Sequence, residues 1–247
     1  MEIKNANLHN FADDNTLSEV AVHEEELIKK LESEACKAID WLSYNSMIAN
    51  PDKFHAIILK KKKTDTSDLL IHIKGNEIKT ESDVQLLGIA IDNKLSFKKH
   101  ISNLFKKTGG KLNAIKRLSS LPCQKARRLL INTYVLSHFN YCSTVWHFCG
   151  LGDIHKIERI NERSLRYIHS DYESEYFDII KKYNEPTMYV RRLRSMCCEI
   201  YKKLQGRNAR YMQDLLAVRP STFLFRDQTK KHSVIIASGL KGHGRGI

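Results

Sequence analysis

The strongest constraint on the fold is a stretch of 37 residues, 94–130, that contains eleven basic side chains and no acidic one. The eleven are Lys94, Lys98, Lys99, Lys106, Lys107, Lys111, Lys116, Arg117, Lys125, Arg127 and Arg128. Between them, Ile101, Leu104, Leu112 and Ile115 recur at helical period, which predicts an amphipathic helix. A short charged run is usually a solvated helix face. Eleven bases without an acid favour binding of a polyanion, most often nucleic acid.

The charge of the chain is divided along its length. Residues 1–59 hold eleven acidic and five basic side chains, a net charge of −6. The net charge of the whole chain is +13, so residues 60–247 carry +19. The periodicity of the apolar residues predicts a mixed α/β portion up to about residue 92 and a basic helical portion after it. We therefore expect domains at 1–92 and 93–217, followed by a mobile tail at 218–247.

Local signals place the elements of the first portion. Thr16-Leu-Ser-Glu19 has the spacing of a capping box and predicts a helix that runs to Tyr44. Residues 54–59 and 84–91 are predicted as single strands, and Gly75-Asn76 as the turn of a hairpin. In the second portion, Pro122 is predicted to open a helix that turns Leu129 and Tyr134 inward. The period predicts two later helices whose core positions are Ile154, Ile157, Leu165 and Ile168 in the first and Val190, Leu193 and Cys197 in the second.

Cysteine usage and hydropathy exclude several classes of protein. The six cysteines include no C-x-x-C pair, which argues against a disulfide scaffold and for a reducing compartment. The first residues lack the apolar segment of a secretory signal. No run of about 18 apolar residues is present, so a membrane span is not expected. These features predict an intracellular protein without a membrane partner; nucleus and cytoplasm are not distinguished.

Two adjacent carboxylates, Asp13 and Asp14, form the sharpest candidate for chemistry. Neighbouring carboxylates repel each other unless a cation compensates them. Mg²⁺ is the natural compensator, because it prefers carboxylate oxygen. In phosphoryl transfer, two such ions activate the attacking oxygen and stabilise the leaving one. On its own, such a pair is more often a solvated turn or a helix cap.

The order of short motifs over residues 5–216 resembles the reverse transcriptases of non-LTR (LINE-type) retrotransposons. The palm hairpin of that family, aromatic-Ala-Asp-Asp, is matched by Phe11-Ala12-Asp13-Asp14. A helix with Trp41, the turn Asn50-Pro51-Asp52-Lys53, the segment Leu87-Gly88-Ile89-Ala90-Ile91-Asp92 and the segment Leu95-Ser-Phe97-x-x-His100-Ile101 follow in the family's order. Ser137-His-Phe-Asn140-Tyr141-Cys142 with Val145-Trp146 is similar to a later helical motif.

The resemblance implies an α+β fold, with a partial polymerase palm of a long helix and short antiparallel strands, followed by an all-α basic thumb. It implies that Asp13 and Asp14 bind catalytic Mg²⁺, that Lys53 assists the departing pyrophosphate, and that Leu87 and Gly88 lie near the primer 3′ end. The implied partner is RNA or an RNA–DNA template–primer. Its backbone would be held by Lys94, Lys98, Lys99, Lys106, Lys107, Lys111, Lys116, Arg117, Arg127 and Arg128.

The chain also departs from the family. The family has a third metal-binding aspartate and a fingers region well upstream of the hairpin, whereas here Met1 stands ten residues before Phe11. We therefore expect a truncated reverse transcriptase that does not polymerise by itself. One alternative is a non-catalytic remnant that binds nucleic acid through its basic helices. Another is a helical interaction protein whose charge serves only solubility.

A group of potential metal ligands, His138, Cys142, His147, Cys149 and His155, raises the possibility of zinc. Six residues separate the two cysteines, without the close pair that structural zinc sites use. Aromatic residues lie between the potential ligands, which favours a packed helical core. Cys197 is likewise predicted to be a core residue.

Overall fold

The computed structural model describes residues 7–59, 69–118 and 123–207, together with the backbone of residues 216–220 and 233–237. It confirms a mixed α+β chain, with helices and two-stranded antiparallel sheets. The chain divides into two compact units, residues 1–103 and 104–247. The predicted domain boundary after residue 92 falls at the end of the strand Ile89–Asp92 and stays a prediction.

The first unit begins with a tight hairpin. Strand β1 (Asn7–Phe11) pairs antiparallel with β2 (Asp14–Ser18), so Ala12 and Asp13 alone form the turn. The predicted capping box is wrong, because Thr16 lies in β2 opposite His9. Helix α1 (Glu24–Tyr44) starts later, with Glu24, Glu25 and Glu26 in its first turn. Carboxylates there favour the helix start, since they face the positive end of its dipole.

Helix α1 forms the core of the first unit with a second hairpin, β3 (Leu70–Ile73) and β4 (Asn76–Lys79). The buried residues of this core are Ala35, Ile71, Ile73 and Ile78, and the residues packed against it include Leu17, Leu31, Ile39 and Phe54. Polar contacts hold the hairpin on the helix. The backbone N–H of His72 donates to Glu32 Oε1 at 2.6 Å, and Lys74 Nζ lies 2.6 Å from Asp40 Oδ1.

The turns of the first unit differ from the predicted ones. The β3–β4 turn is Lys74-Gly75, one residue before the predicted Gly75-Asn76, and both residues have positive φ, +49° and +80°. Such a pair matches the twist of a two-residue hairpin. The predicted strand 84–91 is a third hairpin, β5 (Asp83–Leu86) and β6 (Ile89–Asp92), which turns at Leu87-Gly88.

The segment 54–59, predicted as a strand, has only one β-bridge, a parallel one between Ala56 and Thr80. The backbone N–H of Glu81 donates to Ala56 O at 2.8 Å. Phe54 is packed against the α1 core. His55 Nδ1 also lies 2.6 Å from Glu81 Oε1. These contacts hold the segment without a strand pairing, so the strand prediction is wrong for these described residues.

The second unit is helical over residues 104–207, apart from the connecting turns and outside the undescribed residues 119–122. Helix α2 (Lys98–Lys116) begins in the first unit and continues into the second. Helix α3 (Gln124–Ile131), a π-helical turn (Asn132–Leu136) and α4 (Ser137–Asn140) follow one another without a break. Pro122, predicted to open α3, lies outside the described residues. Helices α5 (Leu151–His169), α6 (Tyr176–Lys182) and α7 (Met188–Leu204) complete the described helices.

The core of the second unit is built from apolar side chains of α2 to α7. Its most deeply buried members include Leu112, Ile131, Val135, Phe139, Trp146, Ile157, Ile160, Leu165, Ile168, Ile179 and Met188. Ile157, Leu165 and Ile168 are where the helical period predicts them. Leu129 and Tyr134, predicted to face inward, are exposed.

The orientation of α7 also corrects a prediction. Met188 and Arg192 are buried, whereas Leu193 and Cys197 are exposed. The helix start explains the rotation. Both carboxylate oxygens of Glu158 accept from the first N–H groups of α7, those of Met188 and Tyr189, at 3.1 and 2.8 Å. These contacts turn Met188 and, one helical turn later, Arg192 toward α5.

The last described elements are two strands, β7 (Leu216–Pro220) and β8 (Ser233–Ala237), paired antiparallel. They fall largely within the predicted tail 218–247, whose other residues lie outside the described part, so its mobility stays a prediction. Across the described helices, none combines the length and the hydropathy that a membrane crossing requires.

Candidate functional site

The paired carboxylates lie at the tip of the β1–β2 hairpin. Asp13 is a turn residue and Asp14 is the first residue of β2, opposite Phe11. Both are exposed. Ala12 has φ +52°, a conformation that is costly for a residue with a Cβ. The Asn15 side chain closes the turn, since its Nδ2 donates to Asp13 O at 3.3 Å. The tight turn therefore presents two adjacent carboxylates to solvent.

The donor chemistry of this pair fits Mg²⁺, a hard cation that takes carboxylate oxygen. The pair supplies only two protein ligands. Within the described ranges, no three His, Cys, Asp or Glu side chains meet in a group able to hold a metal. Asp13 and Asp14 would thus form one wall of a magnesium site, and further ligands would have to come from elsewhere.

Lys53 is the last residue of a 3₁₀ turn, Pro51–Lys53, and it is exposed. The turn is fixed by Asn50, whose Oδ1 accepts from the N–H of Asp52 at 3.1 Å. The next residue, Phe54, packs on the same core as Leu17 of β2. Lys53 and the carboxylate pair are therefore carried by elements anchored to one core.

Leu87 and Gly88 form the turn of the β5–β6 hairpin, with φ of +46° and +83°. Both are exposed. A glycine suits the second position, because it adopts positive φ without the strain of a Cβ. The turn exposes its backbone at the surface of the first unit, so a ligand could approach the backbone closely there.

Asp92 has a structural role that the sequence pattern alone did not reveal. Its Oδ1 accepts from the N–H groups of Lys94 and Ser96 at 3.1 and 3.0 Å, and its Oδ2 accepts from Phe97 N–H at 2.6 Å. Burial raises the pKa of Asp92, but the hydrogen bonds from Ser96 and Phe97 outweigh it and lower the pKa. The carboxylate thus fixes the path of the chain from β6 into α2.

His100 makes the matching contact from the first turn of α2. Its Nδ1 accepts from the N–H of Ala90 in β6 at 3.4 Å. Burial lowers the pKa of His100, which favours the neutral ring that this contact needs. A negatively charged Asp92 and a neutral His100 therefore join β6 to α2. Asp92, Phe97 and His100 stand in the motifs at 87–92 and 95–101, but their spacing gives no signal of these contacts.

The basic residues assigned to nucleic acid fall into two groups by environment. Those with exposed side chains and no acidic partner among the described residues are Lys94, Lys98, Lys106, Lys107 and Arg117. Of the rest, Lys99 forms an ion pair with Asp83. Lys106 and Lys107 are adjacent on α2, and Lys111 lies one turn further along, with its Nζ 2.8 Å from His138 Nε2.

The positive charges of Lys107 and Lys111 change the pKa of His138. Burial lowers the pKa of His138, and the positive charges of Lys111 and Lys107 lower it further. The imidazole is therefore held neutral beside a positive surface. A potential of this sign attracts phosphate.

The remaining basic residues also make contacts inside the second unit. Lys116 is half-buried near the Tyr167 ring, and burial together with Arg163 lowers its pKa. Arg127 donates from Nη1 to Ser170 Oγ at 2.5 Å. Arg128 Nη2 lies 2.5 Å from the buried carboxylate of Glu185. Arg127 and Arg128 thus tie α3 to the end of α5 and to the α6–α7 connection, and they face solvent only in part.

The potential zinc ligands are spread over different environments. His138 contacts Lys111, whereas Cys142 and His155 are exposed and His147 and Cys149 are buried. The described residues show no grouping of three of them. The prediction that Cys197 is a core residue is wrong, because its side chain is exposed.

Comparisons of the chain with models of protein families, with curated protein sequences and with solved structures find no match.

Proposed function

We propose that the chain is the palm-and-thumb portion of a non-LTR (LINE-type) reverse transcriptase, an RNA-directed DNA polymerase, and that its basic helices hold an RNA or RNA–DNA template–primer. The observation that carries the proposal is the tight, exposed β1–β2 turn, which places Asp13 and Asp14 side by side directly after Phe11 and Ala12. Lys53 and the Leu87-Gly88 turn belong to the same unit.

Magnesium fits this proposal through the chemistry of its ligands. Asp13 and Asp14 would hold part of the coordination shell, and the ion would supply charge stabilisation at the transferring phosphoryl group. Two adjacent carboxylates do not complete a two-metal site. We therefore expect polymerisation to need a further carboxylate from outside the described residues.

The second unit supports the nucleic-acid part of the proposal. Lys106 and Lys107 are exposed on α2 without an acidic partner among the described residues, and Lys111 extends the row. Lysine side chains in this arrangement bind phosphate without reading the sequence of the bases. This observation also favours the second candidate function, a non-catalytic protein that binds nucleic acid, because the row of lysines needs no metal site.

Affinity cleavage separates the two candidates. Fe²⁺ replaces Mg²⁺ in the presence of a primer–template, ascorbate and peroxide, and strand scission is mapped by sequencing gel. The proposal predicts scission concentrated within a few nucleotides of the primer 3′ end. Scission should be lost in Asp13→Ala/Asp14→Ala and kept in Asp52→Ala, a control at another exposed turn.

Binding without localised scission would contradict the polymerase assignment and support the non-catalytic protein. If the primer–template does not bind at low salt, both candidates are wrong. The third possibility, a helical interaction protein, would then be the one left.

A further inference from the structure

The connection between α4 and α5 presents an exposed aromatic side chain on a fixed base. Phe148 is 84% exposed. Its ring meets the ring of His147 edge-on, with centroids 4.9 Å apart. His147 is buried and also contacts Tyr189 of α7, with centroids 5.5 Å apart. Tyr189 is itself 47% exposed. Phe148 and Tyr189 are thus two solvent-exposed rings that both contact one buried ring.

A positive charge lies beneath this surface. Arg192 is 1% exposed, and none of its guanidinium nitrogens has a hydrogen-bond partner among the described residues. The guanidinium stacks on the buried Trp146, 5.4 Å from the ring centroid. Burial lowers the pKa of His147, and the positive charge of Arg192 lowers it further. A guanidinium stays protonated in proteins, and a buried charge is screened little by salt.

The charges around Arg192 leave the surface positive. Glu158, whose charge acts on Arg192, accepts hydrogen bonds from Tyr176 Oη and from the N–H groups of Met188 and Tyr189. Helix α7 carries five bases and one acid, which are Arg191, Arg192, Arg194, Lys202, Lys203 and Glu199. Exposed aromatic rings on a positive surface match the chemistry of unpaired nucleic acid, since every base has a face that stacks and every nucleotide carries a phosphate.

We propose that the aromatic surface of Phe148 and Tyr189, supported by His147 and Arg192, is a stacking site for the bases of single-stranded RNA or DNA. Paired bases in a duplex do not offer their faces, so the site discriminates single strands from duplexes. The inference rests on the proposed function, from which it takes nucleic acid as the ligand. It adds a second contact region, separate in sequence from the α2 lysines.

The test uses the full chain and a fluorescently labelled oligonucleotide, either single-stranded or as an RNA–DNA hybrid. Phe148→Ala and Tyr189→Ala should each weaken single-strand binding about tenfold, because one stacked base is lost. Hybrid binding should change less than about twofold. Phe148→Trp should keep single-strand binding, since it preserves a stacking ring. Phe177→Ala, at another exposed aromatic of the second unit, is the matched control and should change neither.

Circular dichroism on the same variants shows whether they are folded, and sedimentation shows whether their self-association has changed. The inference is wrong if Phe148→Ala and Phe177→Ala bind the single strand equally well. It is also wrong if Phe148→Ala changes only self-association, which would assign the surface to a second copy of the chain. Lys106→Glu separates this inference from the proposed function. Loss of hybrid binding in Lys106→Glu with no effect of Phe148→Ala would leave the proposed function in place and overturn the stacking site.

Discussion

At the scale of single residues, carboxylates that are half-buried or buried organise both units. Asp92 binds the backbone that leads into α2, and Glu158 caps the start of α7. Glu185 is buried and accepts from Arg128 at 2.5 Å and from His169 Nε2 at 3.0 Å. Burial raises the pKa of Glu185, but the hydrogen bonds from Arg128 and His169 outweigh it and lower the pKa. Glu185 therefore stabilises the fold in its charged form.

Glu185→Gln tests this assignment. We expect it to destabilise the second unit by about 1–3 kcal/mol, because Arg128 loses its charged partner. The folded pKa is lowered, so the contribution of Glu185 is complete above its ordinary pKa and is lost as pH falls through the folded value. The difference between wild type and variant should therefore be constant at neutral pH and shrink in acid. Urea unfolding is followed by the fluorescence of buried Trp146 in a Trp41→Phe background.

Glu199→Gln is the matched control for this experiment. Glu199 pairs with Lys202 at 2.8 Å on the exposed part of α7. Its loss should change the free energy of unfolding by less than about 0.5 kcal/mol. Equal effects at Glu185 and Glu199, or a difference that grows in acid, would contradict the role given to Glu185.

At the scale of elements, helical period predicted which segments form helices better than it predicted which faces are buried. Ile157, Leu165 and Ile168 of α5 are buried where the period places them, on the face that packs in the core. In α7 the period fails, since contacts from Glu158 fix the rotation and turn Arg192 inward. The β3–β4 turn lies one residue before its predicted position, also for a local reason that periodicity does not show. The position of a two-residue turn depends on which two adjacent residues adopt positive φ, as Lys74 and Gly75 do. The alternation of polar and apolar residues does not show which two residues these are.

Replacing two glycines by alanine should change the free energy of unfolding in opposite directions. Gly75 has φ +80° with nothing near its missing Cβ, so Gly75→Ala introduces backbone strain alone and should destabilise by about 1 kcal/mol. Gly110 lies inside α2, also with nothing near its missing Cβ. Gly110→Ala should stabilise by about 0.5–1 kcal/mol, because alanine favours the helix. Thermal unfolding of both variants and of Gly75→Asn, which tolerates positive φ, measures the effects. A stabilised Gly75→Ala would contradict the turn.

At the scale of the whole molecule, charge distribution was the most informative sequence property. The periodicity of the apolar residues, and not the charge, predicted a mixed α/β portion before a helical one, and the described elements up to α7 follow that order. The charge distribution could not predict which basic side chains stay exposed. Lys99, Arg127 and Arg128 make contacts within the fold, whereas Lys106 and Lys107 remain exposed. The partners of the first three, such as Asp83 and Glu185, are distant in sequence, so only the folded chain brings them together.

The most direct test of the central claim is the salt dependence of binding to an RNA–DNA hybrid, measured by fluorescence anisotropy with the full chain. Binding through lysines releases counterions, so the logarithm of the association constant should fall linearly with the logarithm of salt concentration. Lys106→Glu and Lys107→Glu should each weaken binding and reduce the slope by about 1. Lys181→Glu, an exposed lysine on α6, should leave the slope unchanged. A slope near zero in the wild type, or equal effects of all three substitutions, would contradict the claim that this chain holds nucleic acid through α2.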